Sequence, residues 1–129
     1  MRLLIDTHIL LWAIAEPRRI RKPVRTRLES PRNEVLFSAA SIWEVTIKQQ
    51  VGRMSLSVTT EDLVTAALEM GFVELPVTAA HAARVARLPL HHRDPFDRLL
   101  VSQAVAEPAR LLTVDSVLGQ YSELVELVS

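Results

Sequence analysis

Cysteine is absent from the 129 residues. That excludes a disulfide framework, a cysteine zinc site and thiol chemistry, and it is compatible with a reducing compartment. Glycine occurs three times and aromatics make up 5% of the chain, which excludes collagen-like repeats and most β-sandwich patterns. Seven prolines are too few for a Pro-rich linker. No apolar run approaches the roughly 20 residues that a membrane span needs. The opening stretch ends in Ala13-Ile14-Ala15, like a signal-peptide cleavage site, but it contains Asp6 and His8 and its basic start is thin. A signal peptide is therefore not expected, and the default is a soluble cytoplasmic protein without a membrane partner. Net charge is missing too, since fifteen basic and fifteen acidic residues cancel.

What is present is a globular composition, 49% apolar and 23% charged, on a chain of the length of one domain, residues 1–129. The charges are unevenly spread. Residues 1–60 hold ten Lys/Arg against five Asp/Glu, and residues 61–129 hold the reverse. A basic part beside an acidic part suits a polyanion handled by carboxylate-bound metal, and it suits a structural dipole equally well.

Strands and helices alternate. Residues 2–5 form a short apolar run, as in a buried parallel strand. A helix over 7–15 is stopped by Glu16-Pro17. The basic tract 18–32 contains a short helix opened by Pro23 and ended by Pro31. Residues 34–37 read as a second strand, and Ser38 caps a helix to about Gln50, closed by Gly52. Thr60 reads as the cap of a helix over 61–70 that ends at Gly71. A strand over 72–75, a helix over 78–87, a polar loop over 88–93 and a helix from Asp94-Pro95 to about Glu107 follow. Residues 110–114 and 124–128 read as the last strands, with a short helix after Asp115. This order predicts an α/β fold, a five-stranded parallel sheet with helices on both faces. Sites in such sheets lie beyond the carboxyl ends of the strands, where the strand order reverses.

Four carboxylates fall near those ends. Asp6 follows the first strand and Asp115 the fourth. Glu44 lies in the helix after the second strand, and Asp97 in the first turn of the helix before the fourth. If the first and fourth strands are neighbours, all four can converge. Crowded carboxylates raise one another's pKa unless a cation neutralises them, and oxygen-only ligands point to Mg²⁺ or Mn²⁺ rather than zinc. Singly, each has a structural reading. Asp6, Asp94 and Asp115 are good helix N-caps, Asp97 suits a helix dipole, and Glu44 can pair with Lys48 at i, i+4 or close a box with Ser41. The functional reading rests on joint placement.

Four segments in order carry a resemblance: Leu3-Leu4-Ile5-Asp6-Thr7-His8, Ser38-Ala39-Ala40-Ser41-Ile42-Trp43-Glu44-Val45, His92-Arg93-Asp94-Pro95-Phe96-Asp97-Arg98-Leu99-Leu100 and Leu111-Leu112-Thr113-Val114-Asp115. Over nearly its whole length the chain resembles the PIN-domain ribonucleases, specifically the small VapC-like toxins of bacterial type II toxin–antitoxin systems. The resemblance implies a single PIN-like domain. It makes Asp6, Glu44, Asp97 and Asp115 the catalytic tetrad that holds Mg²⁺ or Mn²⁺, with Asp94 behind the ligands or acting only as a cap. It implies endonucleolytic hydrolysis of RNA, of tRNA or rRNA class, by metal-activated water. It also implies a cognate antitoxin and a homodimer. Thr7 and Thr113 would orient the Asp ligands. Ser116 and Val117 stand where some members carry a further acidic residue, which leaves one metal or two open.

The remaining chemistry-bearing residues say less. Arg18, Arg19, Arg21, Lys22, Arg25, Arg27 and Arg32 read equally as an RNA phosphate track and as a solvated helix face. Arg98 reads as a phosphate contact or as a partner of Asp94. His8, His81, His91 and His92 have no metal spacing, and His8 reads as a partly buried helix residue. Trp12 and Trp43 suit a core or a protein interface better than base stacking. Leu10, Leu11, Ile14, Val45 and Ile47 add apolar surface that suits a homodimer. The rival readings are a degenerate PIN domain that binds RNA or a partner without cutting, a phosphoryl receiver domain and a DNA nuclease. The receiver lacks its paired acids and its lysine here. The DNA nuclease shares all the chemistry and differs only in 2′-OH recognition.

Overall fold

The computed structural model describes residues 1–90 and 93–128. His91 and His92, and with them part of the expected 88–93 loop, lie outside the described residues. Strands β1 (Arg2–Ile5), β2 (Glu34–Ser38), β3 (Val73–Leu75), β4 (Arg110–Thr113) and β5 (Val125–Leu127) build one sheet in the order β3-β2-β1-β4-β5. Every pairing is parallel. The α-helices are α1 (Thr7–Ala15), α2 (Lys22–Glu29), α3 (Ala39–Gln50), α4 (Thr60–Glu69), α5 (Ala79–Arg84) and α6 (Pro95–Ala106). The expected α/β architecture with a five-stranded parallel sheet is the observed one.

Strand alternation divides the core into two layers. Leu3, Ile5, Val35, Phe37 and Leu112 face Ile9, Leu10, Ala13, Val24 and Ala67 of α1, α2 and α4. Leu4, Leu36 and Leu111 face Leu100, Val101 and Ala104 of α6 on the other side. Both faces are thus covered, which is why the strands read as continuous apolar runs rather than alternating ones. The chain builds β1, β2 and β3 outward in one direction, then crosses back through α5 and α6 to lay β4 on the free side of β1. The strand order reverses between β1 and β4, and the first and fourth strands are neighbours as the convergence of the carboxylates requires.

Local punctuation follows the sequence closely. Gly52 and Gly71 take positive φ, +73° and +89°, directly after α3 and α4, where an L side chain would be strained. One cap moves by a residue: Thr59, not Thr60, accepts from the Asp62 amide and starts α4. The helix expected over 78–87 is α for Ala79–Arg84 and then tightens to a 3₁₀ turn over Val85–Arg87. Pro89 cannot continue a helix and biases Leu88 to extended backbone, and Arg98 Nη2 gathers the Leu88 carbonyl at 3.1 Å.

An ion pair fixes α2 to the far edge of the sheet. Arg27 donates through both terminal nitrogens to Glu126 of β5. The Arg27 hydrogen bond holds the Glu126 carboxyl below its usual value of 4.5. A depressed carboxyl stabilises the fold above the unfolded-state pKa and loses that contribution as pH falls through the folded one. Partial exposure limits the contribution to less than about 1 kcal/mol. Glu126→Gln should therefore be less stable than the parent at pH 7, and the difference should shrink as acid protonates the Glu126 carboxylate of the folded parent. Urea unfolding of both proteins at pH 7 and in acid measures it, and an equal difference under both conditions would contradict the pair's role.

Candidate functional site

Asp6 follows the last residue of β1. Its backbone amide continues the sheet ladder to the Leu112 carbonyl at 3.0 Å. Its side chain is 3% exposed as a residue and both oxygens are engaged. Oδ1 accepts from the Ile9 amide at 2.9 Å and so caps α1, while Oδ2 accepts from Thr113 Oγ1 at 2.7 Å and from the Val114 amide at 3.2 Å. The structural reading and the functional one are both compatible with this geometry, since the cap fixes the carboxylate in place. Burial pushes the Asp6 carboxyl up, and the hydrogen bonds from Ile9, Thr113 and Val114, with His8 nearby, oppose it without overcoming it. A buried anion held only by neutral donors has a cost that a cation would relieve.

Asp115 joins Asp6 through Thr113, and Glu44 meets Thr7, the residue that follows Asp6. Thr113 Oγ1, which donates to Asp6, accepts from the Asp115 amide at 3.0 Å, and Asp115 Oδ1 caps the 3₁₀ turn Ser116–Gln120 through the Val117 amide. On the other side of Asp6, Thr7 Oγ1 lies 2.7 Å from Glu44 Oε1 and 2.9 Å from Ser41 Oγ. Thr113 thus orients an aspartate as expected. Thr7 instead holds Glu44, because its side chain leaves the first turn of α1 toward α3. Ser38 caps α3 through the Ala40 amide, so Ser41 is free to join this contact rather than to form the alternative box.

Glu44 is buried and its Oε2 takes the Lys48 ammonium at 2.5 Å. The i, i+4 pair exists, but at the site rather than on an exposed helix face. The Glu44 hydrogen bond, backed by the charges of Glu44, Asp94 and Asp97, holds the Lys48 ammonium above the usual lysine range against the opposing effect of burial. Lys48 therefore lies in the field of both acidic residues at the start of α6. Asp94 caps that helix by accepting from the Phe96 amide at 2.8 Å and the Asp97 amide at 3.3 Å. Asp97 sits in its first turn.

The donor set here is entirely oxygen, which fits a hard divalent cation such as Mg²⁺ or Mn²⁺. The edge also already accommodates one cation, the ammonium of Lys48. Among the described residues, however, no three Asp, Glu or His side chains stand together at ligand spacing.

Other expected residues fall elsewhere. Arg98 donates through Nη2 to the Val85 and Leu88 carbonyls at 3.4 and 3.1 Å. His81 is buried, caps α5 with Thr78, and stands 3.3 Å from Glu107. Its Nδ1 accepts from the Thr78 amide at 3.1 Å, so Nε2 carries the proton facing Glu107. His8 is exposed, not partly buried, and lies tilted against Trp12, over which Arg19 sits at 4.6 Å. Trp43 is 60% exposed and meets Phe96 edge-on at 5.5 Å, so it does not belong to the core. Leu10 and Val45 are fully buried and add no surface; Leu11, Ile14 and Ile47 are half-buried. Lys48 was seen in the sequence only as Glu44's surface partner. Gln103, wholly buried on α6, was missed. It accepts from Ser38 Oγ at 2.6 Å and donates to the Pro76 carbonyl at 3.2 Å, and nothing in its spacing signals that role.

Residues 3–124 match the PIN domain family model. No curated protein matches the sequence significantly. Solved structures share the fold, two of them as follows. VapBC2 from Rickettsia felis, bound to a DNA fragment from its promoter, superposes with a TM-score of 0.75 at 18% identity, covering 100% of both chains. FitAcB from Neisseria gonorrhoeae superposes with a TM-score of 0.56 at 18% identity, covering 90% of this chain and 89% of that one. With the family match spanning nearly the whole chain, this chain belongs to the PIN-domain family.

Proposed function

We propose that this chain is a divalent-metal-dependent endoribonuclease, the toxin of a type II toxin–antitoxin pair acting in the cytoplasm. The observation that carries the reading is the pairing of Asp6 and Asp115 through Thr113 at the β1–β4 reversal, with Glu44 held by Thr7, the residue after Asp6, and by Lys48. Membership of the PIN family and likeness to the VapBC2 and FitAcB assemblies support a nuclease that works with an antitoxin. When bound, Mg²⁺ or Mn²⁺ supplies Lewis-acid polarisation of the phosphate and activation of a water. Asp6, Glu44, Asp97 and Asp115 would hold it. Thr113 fixes the orientation of Asp6, and Thr7 that of Glu44, so that rotamer freedom is removed before substrate arrives. Trp43, exposed against Phe96, supports a protein contact in a homodimer. No helix among the described residues is long and apolar enough to cross a membrane.

The basic tract divides. Arg18 and Arg21 are exposed, whereas Arg27 is already neutralised by Glu126. Neutralising Arg18 and Arg21 should reduce the log–log salt slope of RNA binding by about one per residue that contacts phosphate, and Arg27→Gln should leave it unchanged. An unchanged slope in the Arg18/Arg21 variant would remove the tract from the RNA path.

A second reading, a PIN domain that binds RNA or a partner without cutting, is favoured by the absence of a gathered three-residue cluster among the described residues. Incubating the purified protein with a tRNA and rRNA pool, and with DNA of matched sequence, separates the two. Discrete RNA fragments that require Mg²⁺ or Mn²⁺ and vanish with EDTA support the nuclease. No cleavage with either metal, by folded protein free of antitoxin, supports the binding-only reading.

A further inference from the structure

We propose that Lys48 is a resident counter-ion of the acidic edge, which holds Glu44 in place when no metal is bound and which a divalent cation must displace. The inference rests on the metal-site reading above. Glu44 is 3% exposed, and a carboxylate so buried needs a partner for its charge. Thr7 supplies a neutral donor to Oε1, and the Lys48 ammonium, on Oε2, supplies the charge. Lys48 reaches that oxygen from one turn along the same helix, with its side chain 32% exposed. The long flexible stem lets the ammonium swing from the carboxylate to water without any movement of α3.

Position gives the ammonium its second property. Asp94 and Asp97, from the start of α6, act on the same ammonium as Glu44 of α3. A single positive charge thus bridges electrostatically the two helices whose acids would hold metal. A dication and an ammonium repel and compete for Glu44 Oε2. Metal affinity is therefore set by the difference between the two cations, and it is weaker than the four carboxylates alone would give. The competition makes loading depend on free divalent ion concentration instead of being saturated at all times.

The test is titration of Mn²⁺ into the antitoxin-free protein, read by the electron paramagnetic resonance of free Mn²⁺, with thermal melting of the metal-free chains alongside. Lys48→Met keeps the apolar stem and removes the charge. It should bind Mn²⁺ about tenfold or more tightly than the parent, and should melt at a lower temperature without metal. Lys48→Arg should keep the parent affinity. If Lys48→Met does not fold, Lys48→Gln makes the same comparison. Equal or weaker Mn²⁺ binding by the neutral variant, with the parent binding normally, would overturn the role of Lys48 and leave the metal site standing. Mn²⁺ binding by neither chain would overturn both.

Discussion

Asp6→Asn should reduce RNA cleavage by about 10³-fold or more while the protein remains folded. The size follows from losing a carboxylate proposed as a direct metal ligand. Folding survives for local reasons. The asparagine carbonyl can still accept from the Ile9 amide at the start of α1, and Asn caps helices as well as Asp does. Its amide group would face Thr113 and Val114, which now donate to Asp6 Oδ2. The Thr113 hydroxyl can rotate and accept, whereas the Val114 amide cannot, so one bond of about 1 kcal/mol is lost. Against that, the substitution removes a buried charge whose desolvation already raises the carboxyl's pKa. A raised carboxyl contributes stability below its unfolded-state pKa and loses it as pH rises through the folded one, so the neutral variant is spared that loss at neutral pH. Initial cleavage rates beside a urea melt measure both effects. Parental cleavage by the folded variant would remove Asp6 from the chemistry.

Gln103→Ala should cost about 2–4 kcal/mol of stability. Gln103 joins three elements inside the protein: the end of β2 through Ser38, the segment after β3 through the Pro76 carbonyl, and α5 through His81, whose Nδ1 lies 3.4 Å away. Truncation leaves a cavity and deprives the buried Ser38 hydroxyl of its acceptor. The same residue anchors α6, which carries Asp97 six positions earlier in the chain, so metal affinity should weaken along with the fold. Urea unfolding checks the first effect. A loss below about 1 kcal/mol would mean that water or neighbouring side chains replace the contacts.

Most of the fold was legible because its signals are local. Continuous apolar runs bounded by turn residues give parallel strands, Ser38 and Asp94 have the chemistry of caps, and Gly52 and Gly71 stand where left-handed backbone is needed. Errors of one residue, as at Thr59, arise where two adjacent threonines are equally competent caps. The candidate site was legible in its carboxylates, since strand ends place them, but less so in their supports. Whether Thr7 serves Asp6 or Glu44 depends on how α1 lies against α3, which no local pattern encodes. Lys48 could be paired with Glu44 from i, i+4 spacing, but its proximity to Asp94 and Asp97 requires α6 to be in place. The same limit explains Trp43 and Leu10. Both sit in apolar helices, and only the packed arrangement puts one outside and the other in the core.

On the proposed reading, the acidic edge between β1 and β4 gathers a divalent cation. Crystals grown with Mn²⁺, with data collected to reveal anomalous scattering from manganese, test it most directly. The expected result is a manganese peak bound by Asp6 and Asp97, with Glu44 turned toward it and Lys48 withdrawn. A manganese peak away from these residues, or none at a concentration where Mn²⁺ supports cleavage, would contradict it.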